Sequence, residues 1–208
     1  LVPGVEKLFF LQSGEFTFLG SPITVSRSGY TGEDGFEVSI SKSDVRKFAE
    51  ALLNERDVAL VGLGARDALR LEAGLCLHGQ DLSKDVTPVE ACLSWVISKR
   101  RREEGNFPGF EIIKEQLVNG IKKCRVGVSP FGKAPARAGC EIFLDRGRKI
   151  GSITSGGYSP TLERPIAMGY VEEVFSKIGT EVLLSVRGKY LPAKIVDLPF
   201  VSPKYFRK

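Results

Sequence analysis

The sequence predicts an α+β region followed by an all-β region. Three observations carry this: short strand-like runs and one clear amphipathic helix in the first sixty residues, a central Ala/Leu-rich helical stretch with charges inside it, and a change of texture near Asn119. Beyond that point short apolar runs recur at strand length between Gly and Pro turns. The expected segments are 1–56, α+β; 57–119, central and helical; and 120–208, a β-barrel.

In the first segment, Leu8–Leu11, Glu15–Leu19 and Ile23–Ser26 read as strands. A glycine-rich connection, Arg27 to Gly35, follows, and its Asp34-Gly35 step predicts a turn. In Phe36–Ile40 the residues Phe36, Val38 and Ile40 face one way and Glu37 and Ser39 the other. Ser41 with Asp44 fits a capping box. Val45, Phe48, Ala49 and Leu52 then fall at helical spacing.

In the central segment a helix is expected from Gly62 to Ala73, stopped by Gly74. Arg66, Asp67, Arg70 and Glu72 interrupt its apolar run. Asp67 meets Arg70 at i, i+3, and some of these charges are expected to be buried in an ion network. Leu75–Asp85 reads as irregular, Thr87-Pro88 as the start of a helical turn with Glu90 near its positive end, and Arg101–Gly109 as a polar loop. Trp95, the one tryptophan, lies in the apolar run Leu93–Ser98. Phe110, Ile113 and Leu117 mark a helix stopped by Asn119-Gly120. The expected barrel strands are Arg125–Val128, Glu141–Leu144, Lys149–Ile153, Ile166–Val171, Glu181–Val186 and Leu191–Ile195, enough for a small barrel.

Charge is unevenly spread. Residues 1–98 hold nine Lys/Arg and fourteen Asp/Glu, a balance of −5; residues 99–208 hold twenty-one and eleven, a balance of +10. The basic half opens on Lys99-Arg100-Arg101-Arg102, which reads either as a docking surface for an anionic partner or as a solvated loop. No aromatic residues interleave with it, so nucleic acid is not expected. No run is long enough to span a membrane. The four cysteines, Cys76, Cys92, Cys124 and Cys140, form no C-x-x-C pair, and His78 is the only histidine, so no metal site is expected. They read as reduced, structural thiols of an intracellular protein. The chain opens at Leu1 without Met, which reads as a cut.

No nucleotide-binding, nucleophile-elbow or metalloprotease motif appears. Glu37 offers two acceptors that match a ligand edge with two adjacent donors; the alternative is a solvent-facing strand residue. Trp95 has an alternative as core.

Ser28-Gly29-Tyr30-Thr31-Gly32-Glu33-Asp34-Gly35-Phe36-Glu37 resembles a signature of the glycine cleavage T-protein family. Gly64 to Leu75, with Gly79-Gln80-Asp81-Leu82 and Thr87-Pro88-Val89-Glu90, resembles a second. Ile153 to Leu162 with Ile166 to Val171 resembles a third. The basic run and Leu198-Pro199-Phe200-Val201 are more similar to the mitochondrial branch, which implies the mitochondrial matrix.

The resemblance implies a cloverleaf fold with a folate-binding α+β region and a six-stranded C-terminal barrel. It implies an aminomethyltransferase that takes an aminomethyl group from the dihydrolipoyl arm of H-protein, releases ammonia and passes the one-carbon unit to tetrahydrofolate. Glu37, Arg66 and Tyr205 match folate-contacting positions of the family; Tyr30 and Trp95 match aromatic positions of the folate cavity. The basic half would dock H-protein and attract a folate polyglutamate tail. Family members extend further at the N-terminus, where the aspartate assisting catalysis lies, so no residue here takes that role and this stretch alone is expected not to turn over. The alternatives are the folate-binding module of a dimethylglycine or sarcosine dehydrogenase fusion, or a non-catalytic folate-binding fragment.

Overall fold

Strands Ser13–Phe18 (β1) and Ser21–Ser26 (β2) pair antiparallel across a two-residue turn at Leu19-Gly20. Both turn residues have positive φ, 48° and 86°, the backbone that matches the twist of a tight hairpin. Glu37–Ser39 (β3) adds antiparallel to β2, setting Ser26 opposite Glu37 and Val25 opposite Val38. The computed structural model describes residues 1–208. Helix Val45–Leu53 (α1) covers one face of this sheet. Its Phe48 meets Phe18 edge-on at 4.9 Å, with Ile23 and Val25 completing a small core.

Three local expectations fail here, each for a physical reason. Leu8–Leu11 is no strand: it follows a 3-10 turn, Val5–Lys7, and Leu11 has φ 68°. Its backbone is satisfied elsewhere, Phe10 N–H donating to the Phe206 carbonyl and Leu11 N–H to that of Arg27. Asp34-Gly35 makes no turn, because the Asp34 carboxylate is held by Arg27, whose Nε donates at 2.9 Å. The chain bends upstream, where Gly32 has φ 74° and packs so close to Ala73 that a Cβ would lie 2.6 Å from its Cβ. Ser41 and Asp44 form no capping box; the Ser41 hydroxyl donates to the Asp44 carboxylate, and the helix starts at Val45.

Helix Leu63–Glu72 (α2) ends as expected at Gly74, with φ 67°. Leu75 N–H donates to the Arg70 carbonyl and Gly74 N–H to that of Leu71, the paired bonds of a glycine-stopped helix. Thr87 and Glu90 make the reciprocal capping bonds that Ser41 and Asp44 do not: Thr87 N–H donates to Glu90 Oε2 and Glu90 N–H to Thr87 Oγ1. A 3-10 turn, Ser94–Val96, carries Trp95, which is 74% exposed and therefore not core. The basic run is not a loop. It opens helix Lys99–Glu104 (α3), capped by Ser98, with Lys99 paired to Glu103 and Arg100 to Glu104 one turn on. Helix Phe110–Asn119 (α4) precedes the barrel.

Strands Lys123–Pro130 (β4), Glu141–Phe143 (β5), Lys149–Ser159 (β6), Arg164–Glu172 (β7), Glu181–Val186 (β8) and Lys189–Val196 (β9) close a six-stranded antiparallel barrel in the order β4-β7-β6-β5-β8-β9. Twelve buried side chains fill it, among them Val128, Ile142, Ile153, Leu184 and Ile195. Strand β6 runs six residues past its expected end at Ile153. Gly156 stands in its middle because a Cβ there would lie 1.9 Å from the Ala136 carbonyl oxygen. The chain then returns past α2 to the first sheet: Val201 N–H donates to the Glu72 carbonyl and Lys204 N–H to that of Gly32.

Candidate functional site

Helix α2 lies between the barrel and the glycine-rich connection, and its two halves are built from different chemistry. Leu71 packs on Ile166 and Met168 of β7. Beside that contact, Arg70 is 1% exposed and Asp81 not at all. Arg70 Nη1 donates to Asp81 Oδ2 at 2.9 Å, Nε to Asp67 Oδ1 at 2.8 Å and Nη2 to Ser155 Oγ at 3.0 Å. Asp81 also accepts from Leu77 N–H, Thr154 Oγ1 and Ser155 Oγ. In a regular strand Thr154 and Ser155 would point to opposite faces. The register of β6 on β7 shifts between Ile153 and Ser155, and such a bulge re-aims side chains, so both hydroxyls reach one carboxylate. Glu72, 3% exposed, accepts from Ser159 Oγ, Thr161 Oγ1 and Thr161 N–H. No buried side-chain polar atom lacks a partner. This is the ion network expected from the charges within α2. Its partners on β6 were not legible, being more than seventy positions away.

The N-terminal half of α2 is open: residues 63–67 are exposed, whereas Arg70, Leu71 and Glu72 are buried. Arg66 is exposed and its guanidinium lies 4.6 Å from the centre of the Tyr30 ring. Among the ion pairs and hydrogen bonds of the protein none involves its side chain, so its fork of donors is unspent. Tyr30 is half-buried, and burial pushes its hydroxyl above the usual tyrosine range, with Arg70 pulling the other way. Glu37 is exposed on β3, and one of its oxygens accepts from Ser28 Oγ; the second is free. Tyr205 is half-buried and stacks on Phe10 at 3.9 Å, and burial raises its hydroxyl as well. Trp95 is exposed with no ring partner. The fold thus brings Arg66 to Tyr30, gives Glu37 a serine and Tyr205 a phenylalanine, and records no direct contact of Glu37, Tyr205 or Trp95 with the Arg66–Tyr30 pair.

The adjoining support was not visible in the sequence. Arg27, buried, lies 4.0 Å from the Phe206 ring centre and 5.0 Å from that of Phe36 while it grips Asp34. It fixes the start of the connection from which Ser28 and Tyr30 project, and only its position just ahead of the glycines hinted at it. Cavities of about 540 Å³ lie elsewhere, one beside Pro135, Cys140 and Arg187 and one under Phe36, Val38 and Phe48. No three His, Cys, Asp or Glu side chains are grouped to hold a metal. No helix is long and apolar enough to cross a membrane.

Comparison with known proteins gives these features a family. Residues 4–101 match the GCVT N-terminal domain, and residues 123–202 match the glycine cleavage T-protein C-terminal barrel domain. The mitochondrial aminomethyltransferases of Mesembryanthemum crystallinum and Dictyostelium discoideum are each 48% identical, over 98% and 97% of this chain and 50% and 52% of their own lengths. The crystal structure of the glycine cleavage system aminomethyltransferase T from Bartonella henselae superposes with a TM-score of 0.92 at 45% identity, covering 99% of this chain and 56% of that one. The chain spans about half the length of the curated relatives it matches, and with matches to both the N-terminal domain and the C-terminal barrel domain it belongs to the glycine cleavage T-protein family of aminomethyltransferases.

Proposed function

We propose that this chain supplies one wall of the tetrahydrofolate site, together with the barrel that backs it, in an aminomethyltransferase. The reaction takes the aminomethyl group from the dihydrolipoyl arm of H-protein, releases ammonia and delivers the one-carbon unit to tetrahydrofolate in the mitochondrial matrix. The observation that carries this reading is the match to aminomethyltransferases along essentially the whole chain, barrel included.

The site residues support it chemically. A pterin presents adjacent amide and amino donors, and Glu37 offers a free carboxylate oxygen beside the one that Ser28 already bonds. The Glu37 backbone is fixed by its pairing with Ser26, so the carboxylate needs little ordering on binding. Arg66, without a carboxylate partner and stacked on Tyr30, offers planar donors to an anionic or carbonyl-rich ligand. Tyr30, Tyr205 and Trp95 supply aromatic faces for the pterin and benzoyl rings. H-protein docking falls to the basic half. On α3, Lys99 and Arg100 are offset by Glu103 and Glu104, so the unpaired Arg101 and Arg102 carry that role.

The test is single-turnover formation of methylene-tetrahydrofolate from aminomethylated H-protein by the full-length protein, run with tetrahydrofolate calorimetry on the same preparation. Folate-dependent product with saturable binding supports the reading. Binding without product favours a non-catalytic folate-binding protein, and the absence of both sinks it.

A further inference from the structure

All four cysteines are free, and two of them meet. Cys92 Sγ lies 3.3 Å from Cys124 Sγ, although the residues are 32 positions apart. Each sulfur is delivered by a rigid element. Cys92 closes the turn that Thr87 and Glu90 cap; its N–H donates to the Val89 carbonyl, that of Leu93 to Pro88, and its own φ is 58°. Cys124 sits on β4 opposite Val171. The neighbouring Arg125 clamps turn to strand, its Nε donating to the Ala91 carbonyl and Nη1 to that of Gly74. Both sulfurs also lie 3.5 Å from the Arg125 carbonyl oxygen.

The surroundings distinguish the two thiols. Cys92 is exposed and Cys124 half-buried. The hydrogen bond from Cys124 holds the Cys92 thiol well below the usual range and pushes Cys124 up; Arg125 adds to the first effect and Glu173 to the second. Burial pushes the nearby Cys76 up as well. A thiolate is the reactive form of cysteine.

We propose that Cys92 and Cys124 are a reversible dithiol–disulfide site, with Cys92 as attacking thiolate, Cys124 as resolving thiol and hydrogen peroxide as oxidant. The Cys92 thiolate attacks one peroxide oxygen, the O–O bond breaks, and hydroxide leaves with the electron pair and takes up a proton as water, giving a sulfenic acid. The Cys124 sulfur then attacks the Cys92 sulfur, the S–O bond breaks, and the hydroxyl leaves with the Cys124 proton as a second water. Two thiols are oxidised by two electrons and one peroxide is reduced. The sulfurs must close to roughly 2.05 Å, and the bond would tie the stretch leading to Trp95 covalently to the barrel.

Trypsin cuts between every pair of cysteines in this sequence, so the linkage can be read directly. The reduced full chain, treated with one equivalent of hydrogen peroxide, should lose about 2 Da and fall from four titratable thiols to two. The Cys92 and Cys124 peptides should be joined, and dithiothreitol should restore them. The Cys76→Ser/Cys140→Ser variant should form the same linkage, falling from two titratable thiols to none. In Cys124→Ser, Cys92 should stop at a sulfenic acid trapped by dimedone and then over-oxidise. Four surviving thiols, a Cys92–Cys76 linkage, or disulfide yield unaffected by Cys124→Ser would each overturn the proposal.

Discussion

Arg66 and Arg70 stand one turn apart on the same helix, and the fold treats them in opposite ways. Arg70 is sealed against the barrel with an acceptor for each of its three nitrogens. Arg66 faces out with no acceptor at all and only the Tyr30 ring beneath it. Burying a guanidinium is tolerable only when every donor is matched, so the buried C-terminal half of α2 has no capacity left for a ligand. An exposed guanidinium loses nothing by waiting. Both arginines lie on one face of α2, so the difference runs along the helix, from an N-terminal half left open to solvent to a C-terminal half sealed into the fold.

The largest expected effect comes from breaking the sealed half. Asp81→Ala leaves Arg70 charged and buried beside an empty space, which should cost roughly 3–5 kcal/mol in urea unfolding. Arg70→Met with Asp81→Leu removes both charges and should recover most of that loss. A single substitution costing under about 1 kcal/mol would show that the pair behaves like a surface bridge and would collapse the contrast.

At the open end of α2 and on neighbouring β3 the order of effects reverses, with stability spared and binding hit. Glu37→Gln replaces an acceptor with a donor facing a ligand donor. It should weaken tetrahydrofolate binding by calorimetry about ten- to hundredfold and move unfolding by no more than about 0.5 kcal/mol. Parent-like affinity would mean that Glu37 is only a solvated strand residue. Arg66→Lys keeps the charge but loses the planar face on Tyr30. An exposed cation–ring contact is worth about 0.5–1 kcal/mol, so a loss of a few-fold in affinity is expected, with Arg66→Ala clearly worse. Equal affinities for the two variants would show that charge plays no part.

The smallest effect tests the support beneath the open half. Arg27 holds the Asp34 carboxyl below the usual aspartate range, with the Phe206 and Gly35 N–H groups adding to it. A depressed carboxyl contributes stability above its unfolded value and loses it as pH falls through its lower folded value. Asp34 is partly exposed, so the gain is modest. Exchange protection at Phe10 N–H, bonded to the Phe206 carbonyl, should persist from neutral pH to the ordinary aspartate range and fade only in stronger acid. Fading already at neutral pH would detach Asp34 from the contact.

What the sequence made legible follows from where each interaction partner lies. The barrel strands could be read because apolar runs and turns are local signals; their neighbours in the barrel, which do not follow the order along the chain, could not. The burial of charge in α2 could be read because Arg70 and Glu72 have no solvent face beside the apolar positions. Asp81, Thr154 and Ser155 could not be matched to Arg70, because their meeting depends on a bulge in β6 that no local pattern announces. Gly156 falls beyond the expected strand end at Ile153, yet it lies inside β6 as a point of close approach. Leu8–Leu11 looked like a strand because its apolar run exists to receive Tyr205 and Phe206, almost two hundred positions later. Glu37's outward direction followed from alternation alone; its serine partner did not.

The returning stretch has a consequence for synthesis. Residues 201–206 emerge from the ribosome only after all six barrel strands, yet they bond Gly32, stack on Phe9 and Phe10 and pass beneath Arg27. The glycine-rich connection that bears Tyr30 therefore lacks its last support throughout translation of the barrel. A nascent chain halted anywhere before Val201 should hold a formed first sheet and an unsettled connection, and ligand competence should arrive late and all at once.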